Sequence, residues 1–236
     1  MSSDPSSRRE FFGTAVAGLS LAQKLAAKAA RPAVARVIGA NDRINFGMIG
    51  VGGMGFGHVR QLVARGKDKA DVQIVAASDI YSRRKKRTQE HASLAEKDLH
   101  HEYRALLARG DVDAVVIATP DHWHARMAID AMNAGKDVYL QKPMTYTIEE
   151  ARDVAAAVER TGRVLQVGSQ HTSDLRFHRA QEVIEKGWIG APLWFQGTYS
   201  RNSIYGEWNY KIEDDGDEQN IDWKAFLGSE IGRAHV

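Results

Sequence analysis

The chain has 236 residues, 43% of them hydrophobic, enough for one or two domains with a real core. Its 32 Lys and Arg nearly cancel its 30 Asp and Glu, leaving a net charge of +2, so no nucleic-acid partner is expected. The absence of cysteine excludes disulfides, a thiolate nucleophile and cysteine-ligated metal.

The first stretch with character is SSRREFFGTAVAG at 6–18. Ser7-Arg8-Arg9-Glu10-Phe11-Phe12 has the form of a twin-arginine export signal. The apolar run after it, Gly13 to Ala22, is too short to span a bilayer, which takes about 20 residues. Small-residue cleavage sites follow at Ala27-Lys28-Ala29 and Ala33-Val34-Ala35. Residues 1–40 are therefore expected to be a signal and linker. The expected location is the periplasm of a bacterium, with the twin-arginine machinery as a partner.

From Asn41 the pattern becomes that of an α/β protein. INFGMIG (44–50) reads as a strand entering a glycine turn, and Val59, Leu62 and Val63 mark a helix over 55–65. VQIVAAS (72–78) is a second strand, followed by a helix from Ser82 whose basic start, RRKKR (83–87), reads as solvated. DAVVIATP (113–120) is a third strand, with a helix from His124 that stops at Gly135. DVYLQKP (137–143), a helix over 148–162 and RVLQVG (163–168) complete five strands alternating with helices. Such alternation implies a doubly wound parallel sheet of Rossmann type over 41–168, with ligand at the carboxyl ends of its strands.

Beyond 168 the rhythm loosens. A helix over 175–187 leads to APLWFQGTYS (191–200), whose two alternating faces suit an antiparallel strand. The acidic run EDDGDE (213–218) lacks the ligand spacing of an EF-hand and reads as a solvated loop. Residues 169–236 are expected to begin an α+β domain with a mainly antiparallel open sheet, cut short. The last residues, EIGRAHV, are expected to be read-through at the end of a gene fragment.

Gly50-x-Gly52-x-x-Gly55 lies where a strand meets a helix. The first glycine suits the turn, the second a close approach of pyrophosphate, and the third the packing of helix on strand. Asp79, at the end of the second strand, is placed to bond the ribose hydroxyls of NAD. It lies somewhat beyond the usual spacing of about 20 residues, the excess being taken up by RGKDKAD at 65–71. Arg83 and Arg84 leave room for NADP, but Asp79 would repel a 2′-phosphate and favours NAD. Thr119, Pro120, Asp121 and His124 stand at the edge of the third strand, and Lys142 one strand over. A lysine there can bond a substrate oxygen, with burial and a nearby nicotinamide cation lowering its pKa, although spacing alone makes it a surface residue. His122 and His124 lack a nearby carboxylate cluster, so no metal site is expected.

ANDRINFGMIGVGGMGFGH, DVDAVVIATPDHWHA, GKDVYLQKPMTYTIEEAR, VLQVGSQ and IGAPLWFQGTYSRNS, in that order, resemble the glucose–fructose oxidoreductase / inositol dehydrogenase (Gfo/Idh/MocA) family in its exported bacterial branch. The resemblance covers about 41–228. It implies a dinucleotide-binding domain followed by an α+β domain, a carbohydrate-like small-molecule substrate and, for the full-length protein, a homo-oligomer. Cofactor contacts are then expected from Gly50, Gly52, Gly53, Met54, Gly55, Asp79 and Arg83. Further contacts are expected from Thr119, Pro120, Asp121, His124, Gln141, Lys142 and Gln170, with Lys142 as the catalytic residue. Gln141 stands where the family usually has glutamate, which removes a negative charge beside Lys142. The family's later Asp/His pair has no counterpart in this chain. The implied activity is hydride transfer between a carbinol carbon and a nicotinamide. An NAD-retaining glycosidase and a non-catalytic cofactor-binding protein stay open as alternatives.

Overall fold

A computed structural model of the chain describes residues 43–198, 204 and 213–228. The export signal expected in residues 1–40 lies outside the described residues, as does the final EIGRAHV. Among the described residues no helix is long and apolar enough to cross a membrane.

The elements in chain order are β1 (Ile44–Ile49), α1 (Gly53–Lys69), β2 (Val72–Ser78), α2 (Ser82–Ala92), β3 (Leu99–His100), α3 (Tyr103–Leu107), β4 (Ala114–Ile117) and α4 (His124–Asn133). They continue with β5 (Asp137–Gln141), α5 (Ile148–Thr161), β6 (Leu165–Gly168), α6 (Leu175–Glu185) and α7 (Trp223–Leu227). The strands form one parallel sheet in the order β3-β2-β1-β4-β5-β6. Strands β1 and β4 are adjacent while their connections leave in opposite directions, so a crevice opens between their carboxyl ends. Register aligns those ends: Ile49 lies opposite both Ser78 and Ile117, and Gln141 opposite Gly168.

Near-continuous apolar strands follow from burial on both sheet faces. Leu106, Val115, Ile117, Met132, Leu140 and Val154 form one core. Met48, Val51, Val59, Ile74, Ala77 and Val116 form the other. Helix α5 begins with a capping box, in which the Thr147 hydroxyl accepts from the Glu150 amide and the Glu150 carboxylate from the Thr147 amide. It ends at Gly162, as the sequence indicates.

Two departures from the sequence reading stand out. The sheet has six strands rather than five, because the two-residue β3 is too short to show periodicity. The strand expected over 191–200 does not form over its described part, 191–198. Alternation supplies two faces, but a strand needs a neighbour for its amides and carbonyls. None is placed there among the described residues, and Leu193 and Phe195 stand 91% and 92% exposed. The second sheet expected beyond residue 168 is likewise absent among the described residues.

Candidate functional site

At the end of β1 the Gly50 amide donates to the Ser78 carbonyl at 2.9 Å, and the chain turns out of the sheet. Gly50 has φ +78°, and a Cβ there would lie 2.8 Å from the Ala118 carbonyl oxygen. A Cβ on Gly55 would lie 2.0 Å from the Gly50 carbonyl oxygen. Helix α1 can therefore cross the turn only because both positions are bare. Gly52 is its N-cap, with no side-chain cap and no acid in the first turn. Its leading amides and positive dipole end are thus left to meet an anion.

Asp79 is 7% exposed. Its Oδ2 accepts from the Val51 amide at 2.8 Å and its Oδ1 from the Tyr81 amide at 2.9 Å. The carboxylate thus braces the glycine turn against the end of β2, and it also lines the cavity described next. Each oxygen keeps a further lone pair for a ribose hydroxyl.

The crevice holds a cavity of about 400 Å³, within the range of small-molecule sites. Ile49, Gly50, Gly52, Ala118, Thr119 and Pro120 form its floor. Tyr103, Trp123 and Met127 supply apolar wall, Arg84 supplies nitrogen donors, and His101 completes the rim. Tyr103 is fixed by its hydroxyl, which donates to Asp130 at 2.5 Å; burial and that carboxylate push its pKa upward.

The last wall is a strap formed by residues 213–228. Its Asn220 carbonyl accepts from the Ser82 amide at 3.2 Å, and the Asp222 amide donates to the Ile80 carbonyl at 3.3 Å. Asp222 Oδ2 meets His101 Nε2 at 2.9 Å, and the Trp123 indole donates to the Phe226 carbonyl at 3.0 Å. Asp222, Ala225 and Phe226 consequently face the cavity. The reading of 213–218 as a solvated loop needs correction on this point. Asp215 accepts from the Tyr81 hydroxyl and pairs with Arg83 at 3.2 Å, while Glu213 pairs with Arg83 at 3.1 Å.

The expected site residues divide into two sets. Gly50, Gly52, Gly53, Asp79, Thr119 and Pro120 all line the cavity. Met54 and Arg83 line a neighbouring hollow instead, and Arg84 takes the cavity position expected of Arg83 because the strap carboxylates draw Arg83 away. Gly55 acts through packing. Asp121 starts the 3-10 turn after Pro120, its carboxylate accepting from the His122 amide at 3.2 Å.

His124 is 1% exposed and does not reach the cavity. Its ring joins Thr119 to Pro143, with Nε2 2.9 Å from one carbonyl oxygen and Nδ1 2.6 Å from the other. It therefore ties the end of β4 to the loop after β5. Gln141 is buried, its Oε1 3.3 Å from His58 Nε2. Lys142 and Gln170 stand exposed at the carboxyl ends of β5 and β6, outside the cavity lining.

Sequence reasoning misses Tyr103, His101 and the strap. Helix α3 has only five residues, below the reach of periodicity, and contacts across more than a hundred residues leave no local signal. Arg87 is also more than a solvated residue. It donates to the Val51 carbonyl at 2.8 Å and lies over the Phe56 ring at 3.9 Å, and burial lowers its pKa.

Comparison with known proteins agrees with this geometry. A family model described as "Oxidoreductase family, NAD-binding Rossmann fold" matches residues 44–169. Inositol 2-dehydrogenase of Salmonella typhimurium is 29% identical over 163 residues, covering 69% of this chain and 47% of that protein. A "Glycosyl hydrolase family 109 protein" of Shewanella baltica is 37% identical over 129 residues, covering 51% of this chain and 27% of that protein. Among solved structures, myo-inositol 2-dehydrogenase from Lactobacillus plantarum superposes with a TM-score of 0.56 at 26% identity, covering 63% of this chain and 43% of that one. The chain spans about half the length, or less, of the curated relatives it matches.

Proposed function

Because the chain belongs to this oxidoreductase family with an NAD-binding Rossmann fold, we propose that it carries the cofactor half of a dehydrogenase acting on a CH–OH carbon of a sugar, polyol or related carbohydrate. The observation that carries the reading is the cavity at the switch point, where bare Gly50 and Gly55, an uncapped α1 and Asp79 meet. The residues fit a dinucleotide. The α1 amides would hold the pyrophosphate, Asp79 a ribose, and Thr119 and Pro120 the edge towards β4. NAD, when bound, supplies a hydride acceptor.

Lys142 stands exposed at the same sheet edge, where its side chain can hydrogen-bond the oxygen of a substrate carbinol that gives up its hydride. The similarity to inositol dehydrogenases makes inositols the first substrates to try. The test is NADH formation by the protein expressed from its gene with a panel of inositols and sugars. Turnover with any of them supports the reading, and none across the panel contradicts it.

The relative named as a glycosyl hydrolase favours a second reading, glycosidic cleavage with NAD retained. Release of a glycone without net NADH would select it. We also propose export by the twin-arginine route, supported by Ser7 to Phe12; a domain that closes around its cofactor before crossing would need such a route. Replacing Arg8 and Arg9 by lysine should trap the protein in the cytoplasm. Unchanged export would contradict that proposal.

A further inference from the structure

We propose that Glu213 and Asp215, on the strap, set the preference for NAD over NADP by occupying Arg83. The proposal rests on the reading of Gly50–Gly55 and Asp79 as a dinucleotide site, and it assigns the strap a part in choosing the dinucleotide.

Next to the main cavity lies a second hollow lined by Gly53, Met54, Arg83, Arg84, Arg87 and Glu213, among others. It shares Gly53 and Arg84 with the main cavity. Asp79 belongs to the main cavity, and the chain from Tyr81 into α2 walls the hollow. A ribose bonded to Asp79 would therefore present its 2′ position towards a pocket rich in arginine. On residue types alone this pocket would welcome a phosphate.

The contacts alter that conclusion. Arg87 is committed to the Val51 carbonyl and the Phe56 ring, and Arg84 lies over the Tyr81 ring at 5.4 Å. Arg83 is gripped by two carboxylates from the strap, Glu213 at 3.1 Å and Asp215 at 3.2 Å. Asp215 is itself held by the Tyr81 hydroxyl, so it cannot swing aside without breaking a second bond. A 2′-phosphate, with a charge near −2, would find the Arg83 guanidinium already paired with two carboxylates and would itself meet the carboxylates of Asp79 and Glu213. NAD brings only a hydroxyl there. The Arg83 ion pairs are half-exposed, so their strength is modest and removal of the acids frees the guanidinium at little cost to the fold.

The experiment measures Kd for NAD and for NADP, by calorimetry at low salt, in the wild-type protein and in Glu213→Gln/Asp215→Asn. The variant should bind NADP about 10-fold more tightly, the scale of one charge-assisted contact, with NAD unchanged within about twofold. Adding Arg83→Ala should cancel the gain. Asp215→Asn alone keeps an acceptor for Tyr81 and should give part of the effect without loosening the strap. An unchanged NADP/NAD ratio in the double variant, whether the two affinities hold or fall together, overturns the proposal. So does a gain that survives Arg83→Ala. A wild-type protein that binds neither nucleotide would overturn the dinucleotide reading itself, a result distinct from NAD binding with an unmoved ratio.

Discussion

The two sides of the crevice are built differently. On the β1–α1–β2 side, residues 44–79, the site is made of backbone: bare glycines, uncapped amides and one aspartate bonded to the turn it braces. On the β4–β5–β6 side, beyond Pro120, it depends on side chains: Trp123 and Met127 reach the cavity, but the polar groups expected there do not. His124 is spent joining two loops, Gln141 bonds His58, and Lys142 and Gln170 face solvent. A backbone site is complete once its own strand and helix have folded. A side-chain site needs whatever else surrounds the substrate. The cofactor half is therefore preorganised, while the catalytic edge is only positioned.

The largest effect should come from breaking the backbone side. Gly55→Val places a side chain where even a Cβ would come 2.0 Å from the Gly50 carbonyl. We expect NAD binding to fall at least 100-fold, of the order of 3 kcal/mol, in calorimetric titration. Binding within a few fold of wild type would show that the turn is not the cradle.

Lys142→Ala should do the opposite on the catalytic edge. Turnover by the enzyme expressed from its gene should drop by roughly 10²–10⁴, the range for general acid–base groups, while NAD affinity stays within about twofold. A loss of NAD affinity with turnover intact would erase the distinction between the two sides. Asp79→Ala should weaken NAD by about 10-fold and narrow its advantage over NADP, read from the two Kd values. Equal effects on both nucleotides would limit Asp79 to bracing Val51.

Much of the fold is legible in the sequence, because parallel strands buried on both faces are continuous apolar runs. VQIVAAS forms a strand over its full length, and Gly162 marks the end of α5. The glycine turn is legible for the same local reason, since its requirement is the absence of side chains. What escapes notice is short or distant. At two and five residues β3 and α3 are too short for a pattern to repeat, and the strap meets Tyr81, His101 and Trp123 across more than a hundred residues. Arg83 is misread because its partners are such distant acids. His124 is misread because a buried histidine serving two carbonyls has the same spacing as one facing a ligand. The alternation over 191–200 is real, but it cannot by itself provide a neighbouring strand.

The smallest effect tests the β3 edge, the part of the nucleotide half hidden from sequence. Burial, followed by the nearby Arg109, lowers the pKa of His100 below its ordinary 6.5. The folded state thus prefers the neutral ring, and its contribution is fully present above about pH 6.5 and is lost as pH falls below it. Denaturation of His100→Gln between pH 8 and 5 should show a shallower loss of stability by less than one proton. An identical slope would mean that the ring is not held neutral.

The central claim is that the cofactor half is preorganised around Gly50–Gly55 and Asp79, and hydrogen–deuterium exchange with and without NAD tests it most directly. The account predicts slowed exchange at the amides of 50–55, 79–81 and 118–119, with 142 and 170–171 unchanged. Protection confined to the loops after β5 and β6, with the glycine turn unaffected, would contradict it.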